Sequence, residues 1–212
     1  MDARTQNCDS TVSPSPSCID FLPSPLPHRI RIIGGRHRGR VIRVPAIADA
    51  RPTPDRVRET LFNWLGQDLS GRRTLDLFCG TGALSLEALS RGAALAVAVD
   101  RNPALIRALT STAASFGVEG LETHVTDAEG FLAGERRAFD IVFLDPPFGS
   151  DPWPWLLPRA VEILSPQGFV YAEAARKLAP PIDAITWRHA RAGRVHYHVL
   201  RRHSCLAAAA TG

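Results

Sequence analysis

The chain has 212 residues, 45% of them apolar, and 25 Lys and Arg against 21 Asp and Glu give a formal net charge of +4. That is enough apolar chain for one sizeable core and too much for overall disorder. The modest positive balance agrees with an anionic partner without requiring one. Lys177 is the one lysine among the basic residues, which points to G- and C-rich coding rather than to guanidinium chemistry. No apolar run approaches the roughly 18 residues of a membrane span, and the N-terminus lacks the apolar segment of a signal peptide. Cys8, Cys18, Cys79 and Cys205 show neither CxxC nor Cys/His ligand spacing, which excludes a zinc motif or a disulfide framework. A soluble, cytoplasmic protein with no metal and no membrane partner is expected.

Residues 1–28, with Ser13-Pro14-Ser15-Pro16 and Pro23-Ser24-Pro25, are too poor in apolar periodicity to offset the entropy of ordering and read as a disordered leader. Residues 29–50 form an extension. In it Arg29–Ile33 and Arg40–Val44 are alternating strands around the basic, glycine-containing turn Gly34-Gly35-Arg36-His37-Arg38-Gly39. The main domain spans 51–203, and 204–212 is a second disordered segment. Thr53-Pro54 offers an N-cap with proline at the first helical position, and Val57, Leu61, Phe62 and Leu65 give one apolar helical face. Strand-like runs at Thr74–Phe78, Ala94–Val99, Leu121–Val125, Phe139–Leu144 and Gly168–Glu173 then alternate with helical stretches at Ala83–Leu89, Pro103–Phe116 and Trp155–Leu164. Such alternation calls for an α/β fold with a parallel sheet covered on both faces. Ala184–Arg188 and Val195–Arg201, separated by Gly193, close the fold as an antiparallel hairpin.

The first of these strands runs through Asp76 and Phe78 into Cys79-Gly80-Thr81-Gly82 and directly into a helix, so a ligand can approach the backbone closely. Ser85 stands where a dinucleotide fingerprint would have its third glycine, and by itself the segment is equally a tight turn. The next strand ends in Asp100, about 20 residues beyond the first glycine, where an acid can hold ribose hydroxyls or cap the following helix. A third acid, Asp127, followed by Ala128, ends the next strand. Acids at three successive strand ends together suggest a nucleoside site.

Asp145-Pro146-Pro147-Phe148 follows an apolar strand directly and is the most specific feature of the chain. Consecutive prolines fix the backbone and remove two N–H donors, so the Asp145 carboxylate and a rigid carbonyl both face a substrate as acceptors. Such a pair suits an exocyclic base amine, whose two N–H bonds need acceptors and whose lone pair must be freed from the ring. Phe148 can stack on the base, worth roughly 1–3 kcal/mol.

These motifs resemble the cofactor and catalytic motifs of class I amino-methyltransferases. More narrowly, Arg31-Ile32-Ile33-Gly34-Gly35, Arg38-Gly39-Arg40, Arg51-Pro52-Thr53-Pro54-Asp55-Arg56-Val57-Arg58-Glu59, Phe62-Asn63 and Leu84 to Gly92 resemble the bacterial family that methylates N2 of the 16S rRNA guanine conventionally numbered 966. The resemblance covers about residues 29–202. It implies a Rossmann-like, seven-stranded, mostly parallel sheet with an antiparallel last hairpin. It also implies S-adenosylmethionine as donor and 16S rRNA in a partly assembled 30S subunit as partner, with the chain acting as a monomer. Carried over residue by residue, it assigns cofactor contacts to Asp76, Phe78, Gly80, Gly82, Asp100, Asp127 and Ala128, and catalysis to Asp145, Pro146, Pro147 and Phe148. Arg29, Arg31, Arg36, Arg38 and Arg40 are read as phosphate contacts rather than as a merely solvated hairpin.

Other readings are weaker. Cys79 as a nucleophile has no Pro-Cys dipeptide to support it, and His196, His198 and His203 read as surface or edge residues. An amino-methyltransferase of DNA adenine or protein glutamine shares the tetrapeptide. A noncatalytic RNA-binding module would keep the shell but has no need of an intact Asp145-Pro146-Pro147-Phe148, and for a nicotinamide dehydrogenase the chain lacks the third glycine and an evident hydride-transfer acid.

Overall fold

A computed structural model describes residues 29–44, 55–147, 149 and 151–203. The leader, the Thr53-Pro54 cap, Phe148 and the C-terminal segment of the sequence reading lie outside those residues. The described chain begins with β1 (Arg29–Arg31), β2 (Val41–Arg43) and α1 (Asp55–Leu65). It continues with β3 (Arg73–Asp76), α2 (Ala83–Ser90), β4 (Leu95–Asp100), α3 (Pro103–Phe116), β5 (Leu121–Val125), α4 (Ala128–Gly134) and β6 (Phe139–Leu144). The last elements are α5 (Trp153–Glu162), β7 (Leu164–Ala174), β8 (Ala184–Ala192) and β9 (Val195–Arg202).

The seven strands from β3 onward form one sheet in the order β5-β4-β3-β6-β7-β9-β8, and β1 and β2 pair separately. β3, β4, β5, β6 and β7 are parallel, while β9 is antiparallel to both of its neighbours. The chain steps outward from β3 to β5 and returns on the other side of β3 to β6. That reversal opens a crevice at the carboxyl ends of β3 and β6, where open α/β sheets bind ligands. The near-continuous apolar runs of β4 and β6 follow from burial on both faces. Val97, Val99, Val142 and Leu144 pack toward α4 and α5, whereas Ile141, Phe143 and Tyr171 pack toward α1 and α2.

Element existence agrees with the sequence reading, and the boundaries differ for local reasons. The hairpin strands are shorter than Arg29–Ile33 and Arg40–Val44, because the Ile33 and Gly34 amides donate to the Glu87 carboxylate at 2.8 and 2.7 Å instead of pairing across the hairpin. α4, absent from the sequence reading, contains Gly130 and Gly134, which lower its helical propensity. It forms because the Asp127 side chain caps it by accepting from the Gly130 amide. α5 starts two residues before Trp155, with proline in its first turn, where a missing N–H costs nothing.

The hairpin is clamped to the body by charge. Arg58, fully buried, donates to the Arg31 carbonyl at 2.8 Å and to Asp55 at 2.6 Å, and sits 3.5 Å from Glu87. Arg91 donates to the same Glu87 at 2.8 Å. A Cβ on Gly35, whose φ is +74°, would lie 1.8 Å from the Ser90 carbonyl oxygen. The glycine pair therefore serves close approach of the hairpin to α2 more than turn flexibility. Arg36 and His37 donate their amides to Ser90, one to its carbonyl and one to its hydroxyl.

Candidate active site at the carboxyl edge of the sheet

β3 delivers Asp76 to the crevice and continues through Leu77 and Phe78 into the glycine loop. Gly82, at φ +75°, is the N-cap of α2 without a side-chain cap. A Cβ there would meet Leu109 of α3 at 2.2 Å, so only glycine lets the loop pass beneath α3. At Gly80 the loop face is open: an added Cβ would meet nothing closer than the Phe78 carbonyl oxygen at 4.0 Å.

β4 delivers Asp100. One of its carboxylate oxygens accepts from the Gly80 amide at 2.9 Å and the other from the Asn102 amide at 2.8 Å. The cap of α3 is Asn102, which accepts from the Ala104 amide, so Asp100 is left to tie the strand end to the glycine loop. Asp76 is almost wholly buried and accepts from the Ser85 hydroxyl at 3.0 Å. Burial pushes its carboxyl up to about 7, opposed by the Ser85 hydroxyl and the Phe78 amide and assisted by the charge of Asp100. Asp127 is exposed beside the buried Ala128 at the start of α4. The three acids thus stand at successive strand ends, as the sequence required, although each also has a local structural partner.

β6 delivers Asp145, which is half-buried, followed by buried Pro146 and exposed Pro147. Asp76 and Phe143 are register partners across β3 and β6, so the cofactor and catalytic motifs, far apart in the sequence, meet at one edge of the sheet. Two residues that the sequence reading gave no role stand beside them. Tyr171, the register partner of Phe143, makes an edge-on ring contact with it at 6.4 Å. The Tyr171 hydroxyl donates to the buried Glu173 carboxylate at 2.7 Å. The alternation Phe169, Tyr171, Glu173 in an apolar strand is the signal that could have found them.

Cys79 is buried, and burial, with the charges of Asp76 and Asp100, holds its thiol well above the ordinary range, against the thiolate that a nucleophile needs. His198 corrects the surface reading. It is fully buried, its Nε2 accepts from the Leu178 amide at 3.1 Å, and burial lowers its pKa to about 4. His203 is exposed and His196 half-buried. Arg29, Arg31, Arg36, Arg38 and Arg40 are all exposed, and the Arg40 guanidinium lies 5.0 Å from the Phe116 ring centroid. Among the described residues no cluster of His, Cys, Asp and Glu could hold a metal ion, and no helix is long and apolar enough to cross a membrane.

The chain has relatives among known proteins and solved structures. A family model described as "Conserved hypothetical protein 95" matches residues 30–201. The chain is 38% identical over 183 residues to Ribosomal RNA small subunit methyltransferase D of Escherichia coli K12, covering 82% of this chain and 90% of that one. It is 33% identical over 168 residues to the protein of the same name from Haemophilus influenzae, covering 74% and 84%. Among solved structures, the yhhF protein of Escherichia coli, provisionally described as a methyltransferase, superposes with a TM-score of 0.75 at 37% identity, covering 82% and 98% of the two chains. At 20% identity and a TM-score of 0.64, the Thermus thermophilus 16S rRNA N2 G1207 methyltransferase, solved with AdoMet and guanosine, shares the fold over 83% of this chain and 50% of its own. The chain therefore belongs to the conserved hypothetical protein 95 family, with the Rossmann-like fold of class I S-adenosylmethionine-dependent methyltransferases.

Proposed function

We infer that the chain methylates the exocyclic N2 of a guanine in 16S rRNA of the small ribosomal subunit, at the position conventionally numbered 966, with S-adenosylmethionine as donor. The observation that carries this reading is the convergence of two acceptor sets on one crevice, the acids at the ends of β3 and β4 and Asp145-Pro146-Pro147 at the end of β6. The names of relatives 38% and 33% identical support a small-subunit rRNA as substrate. Guanine N2 rests on the amine-directed acceptor pair and on the sequence resemblance.

The donor set fits this cofactor. Asp76 and Asp100 are held by hydroxyl and backbone N–H groups, and a buried carboxyl raised to about 7 is stabilised in its charged form by a cationic ligand. Asp76, Asp100, Asp127 and the Gly80–Gly82 backbone would hold the molecule, with Phe78 and Ala128 along its sides. When bound, S-adenosylmethionine supplies an electrophilic methyl to an aligned amine and departs as a neutral thioether.

Asp145 and the Pro146 carbonyl accept the two N–H bonds of the guanine amine, which favours a pyramidal nitrogen and directs its lone pair. The base leaves its stack to reach them, and Phe148 supplies a stacking face. Acceleration comes from alignment and from acceptors placed where positive charge develops on nitrogen, and one N–H proton then leaves to Asp145 or to water, giving the neutral methylated amine. The exposed arginines of the β1–β2 hairpin contact phosphates and set register on the RNA. The test is transfer of labelled methyl to small subunits lacking their native modification, compared with naked 16S rRNA, DNA and protein. Label recovered as N2-methylguanosine from the subunit is the expected result; label in adenine or in protein overturns the substrate.

A further inference from the structure

Glu173 is a buried carboxylate at the working edge of the sheet that the reaction described above does not use. Leu144 and Ala172 are register partners, so Asp145 and Glu173 are the next residues of adjacent parallel strands. The alternation of side chains puts both on the face of Phe143 and Tyr171, whose rings touch edge-on. The Tyr171 hydroxyl donates to Glu173 Oε1 at 2.7 Å, and both residues are buried, Tyr171 to 0% and Glu173 to 5% exposure. Burial first, and then the charges of Glu173 and Asp145, push the Tyr171 phenol well above its ordinary range. Across the strand on the other side, Glu173 is the register partner of Tyr197, whose ring stacks on Trp64 of α1 at 5.4 Å. An aromatic wall therefore flanks the carboxylate.

Building on the guanine-N2 reading, we propose that Glu173 is the specificity-determining residue of the base pocket, a carboxylate oriented by Tyr171 that accepts the guanine N1–H adjacent to the amine held by Asp145. Guanine is distinguished on this edge by contiguous donors at N1 and N2, and two neighbouring carboxylates on adjacent strands match that pattern. Adenine presents a lone pair at N1, which a desolvated carboxylate repels. The same contact explains why an acid stands in the buried stretch of β7 between Val170 and Ala174. Tyr171 is a positioning residue: its hydroxyl keeps the carboxylate turned along the strand edge.

The test uses the full chain and small subunits reconstituted with either guanine or 2-aminopurine at the target position. 2-Aminopurine keeps the N2 amine and replaces N1–H with a lone pair. The parent enzyme is expected to prefer guanine in kcat/KM by about 10- to 100-fold, the worth of a hydrogen bond to a charged group. Glu173→Gln, whose amide can donate to a lone pair, is expected to bring that ratio close to one while cofactor affinity stays unchanged. Tyr171→Phe, which removes only the orienting hydroxyl, is expected to lower the ratio partway, and it serves as the test if Glu173→Gln fails to fold. A guanine preference unchanged in the folded variants overturns the role of Glu173 while N2-methylguanosine formation stands. If the parent enzyme makes no N2-methylguanosine at all, it is the guanine-N2 reading that fails.

Discussion

Glu87 and Asp76 are both buried carboxylates on the α1–α2 side of the sheet, and their surroundings are opposite. Glu87 faces the guanidinium groups of Arg58 and Arg91 and accepts two backbone amides of the hairpin. Asp76 accepts from the Ser85 hydroxyl, beside a second acid, Asp100. A buried charge with cationic partners is already neutralised and acts as a bracket. One held by neutral donors stays costly until a cation arrives, so burial alone does not distinguish structure from function; the sign of the neighbours does.

Asp145→Ala is the largest test of that contrast. Turnover should fall about a thousandfold or more with the melting temperature and cofactor affinity retained, as measured by methyl transfer, thermal unfolding and calorimetry. Comparable activity in the variant would remove Asp145 from the chemistry. Glu87→Ala should do the reverse. It removes the shared buried carboxylate from Arg58 and Arg91 and leaves two hairpin amides without their acceptor, at a cost of about 3–5 kcal/mol in unfolding free energy, read by chemical denaturation. Gly35→Ala probes the same bracket from the backbone side. With positive φ and the Ser90 carbonyl in the way, it should destabilise by about 2 kcal/mol, and a neutral result would show that the hairpin is free of α2.

Smaller effects test charge alone. Arg36→Gln with Arg38→Gln should lower the slope of RNA affinity against salt by about two and leave cofactor affinity unaltered. An unchanged slope would assign these arginines to solvent. For Asp76 the folded pKa, about 7, lies above the model-compound value of 3.8, so the folded state holds the proton more tightly. Stability contributed by this group is then present below pH 4 and is lost as pH rises to about 7, on the order of 1 kcal/mol per pH unit. Asp76→Asn should flatten that loss, and a parallel pair of pH–stability curves would contradict the burial argument. His198 acts in the opposite sense between its folded value of about 4 and 6.5, so the comparison is cleanest in a His198→Gln background.

The two regions also differ in how far they could be read in advance. Asp145-Pro146-Pro147 and the glycine loop were legible because their chemistry is local: proline and glycine act on their own backbone, and an acid at a strand end needs only that strand. The Glu87 bracket was not. Its partners come from Arg31, Ile33, Gly34, Arg58 and Arg91, and no local period relates a hairpin, a helix and a second helix. His198 was misread for the same reason. β9 is covered by the Leu178 segment, whose amide hydrogen-bonds its ring, and one strand's sequence does not reveal what covers it.

What the sequence by itself determined is the alternation of strands and helices, the closing hairpin around Gly193 and the placement of Asp76, Asp100, Asp127 and Asp145 at strand ends. Each depends on periodicity or on a residue's own backbone preference. Only the tertiary structure decided which buried carboxylates are neutralised, that the glycine pair at 34–35 serves contact with α2, and that Glu173 stands beside Asp145. Those facts depend on strand order and register, which bring together residues far apart in the chain and which no local interaction specifies.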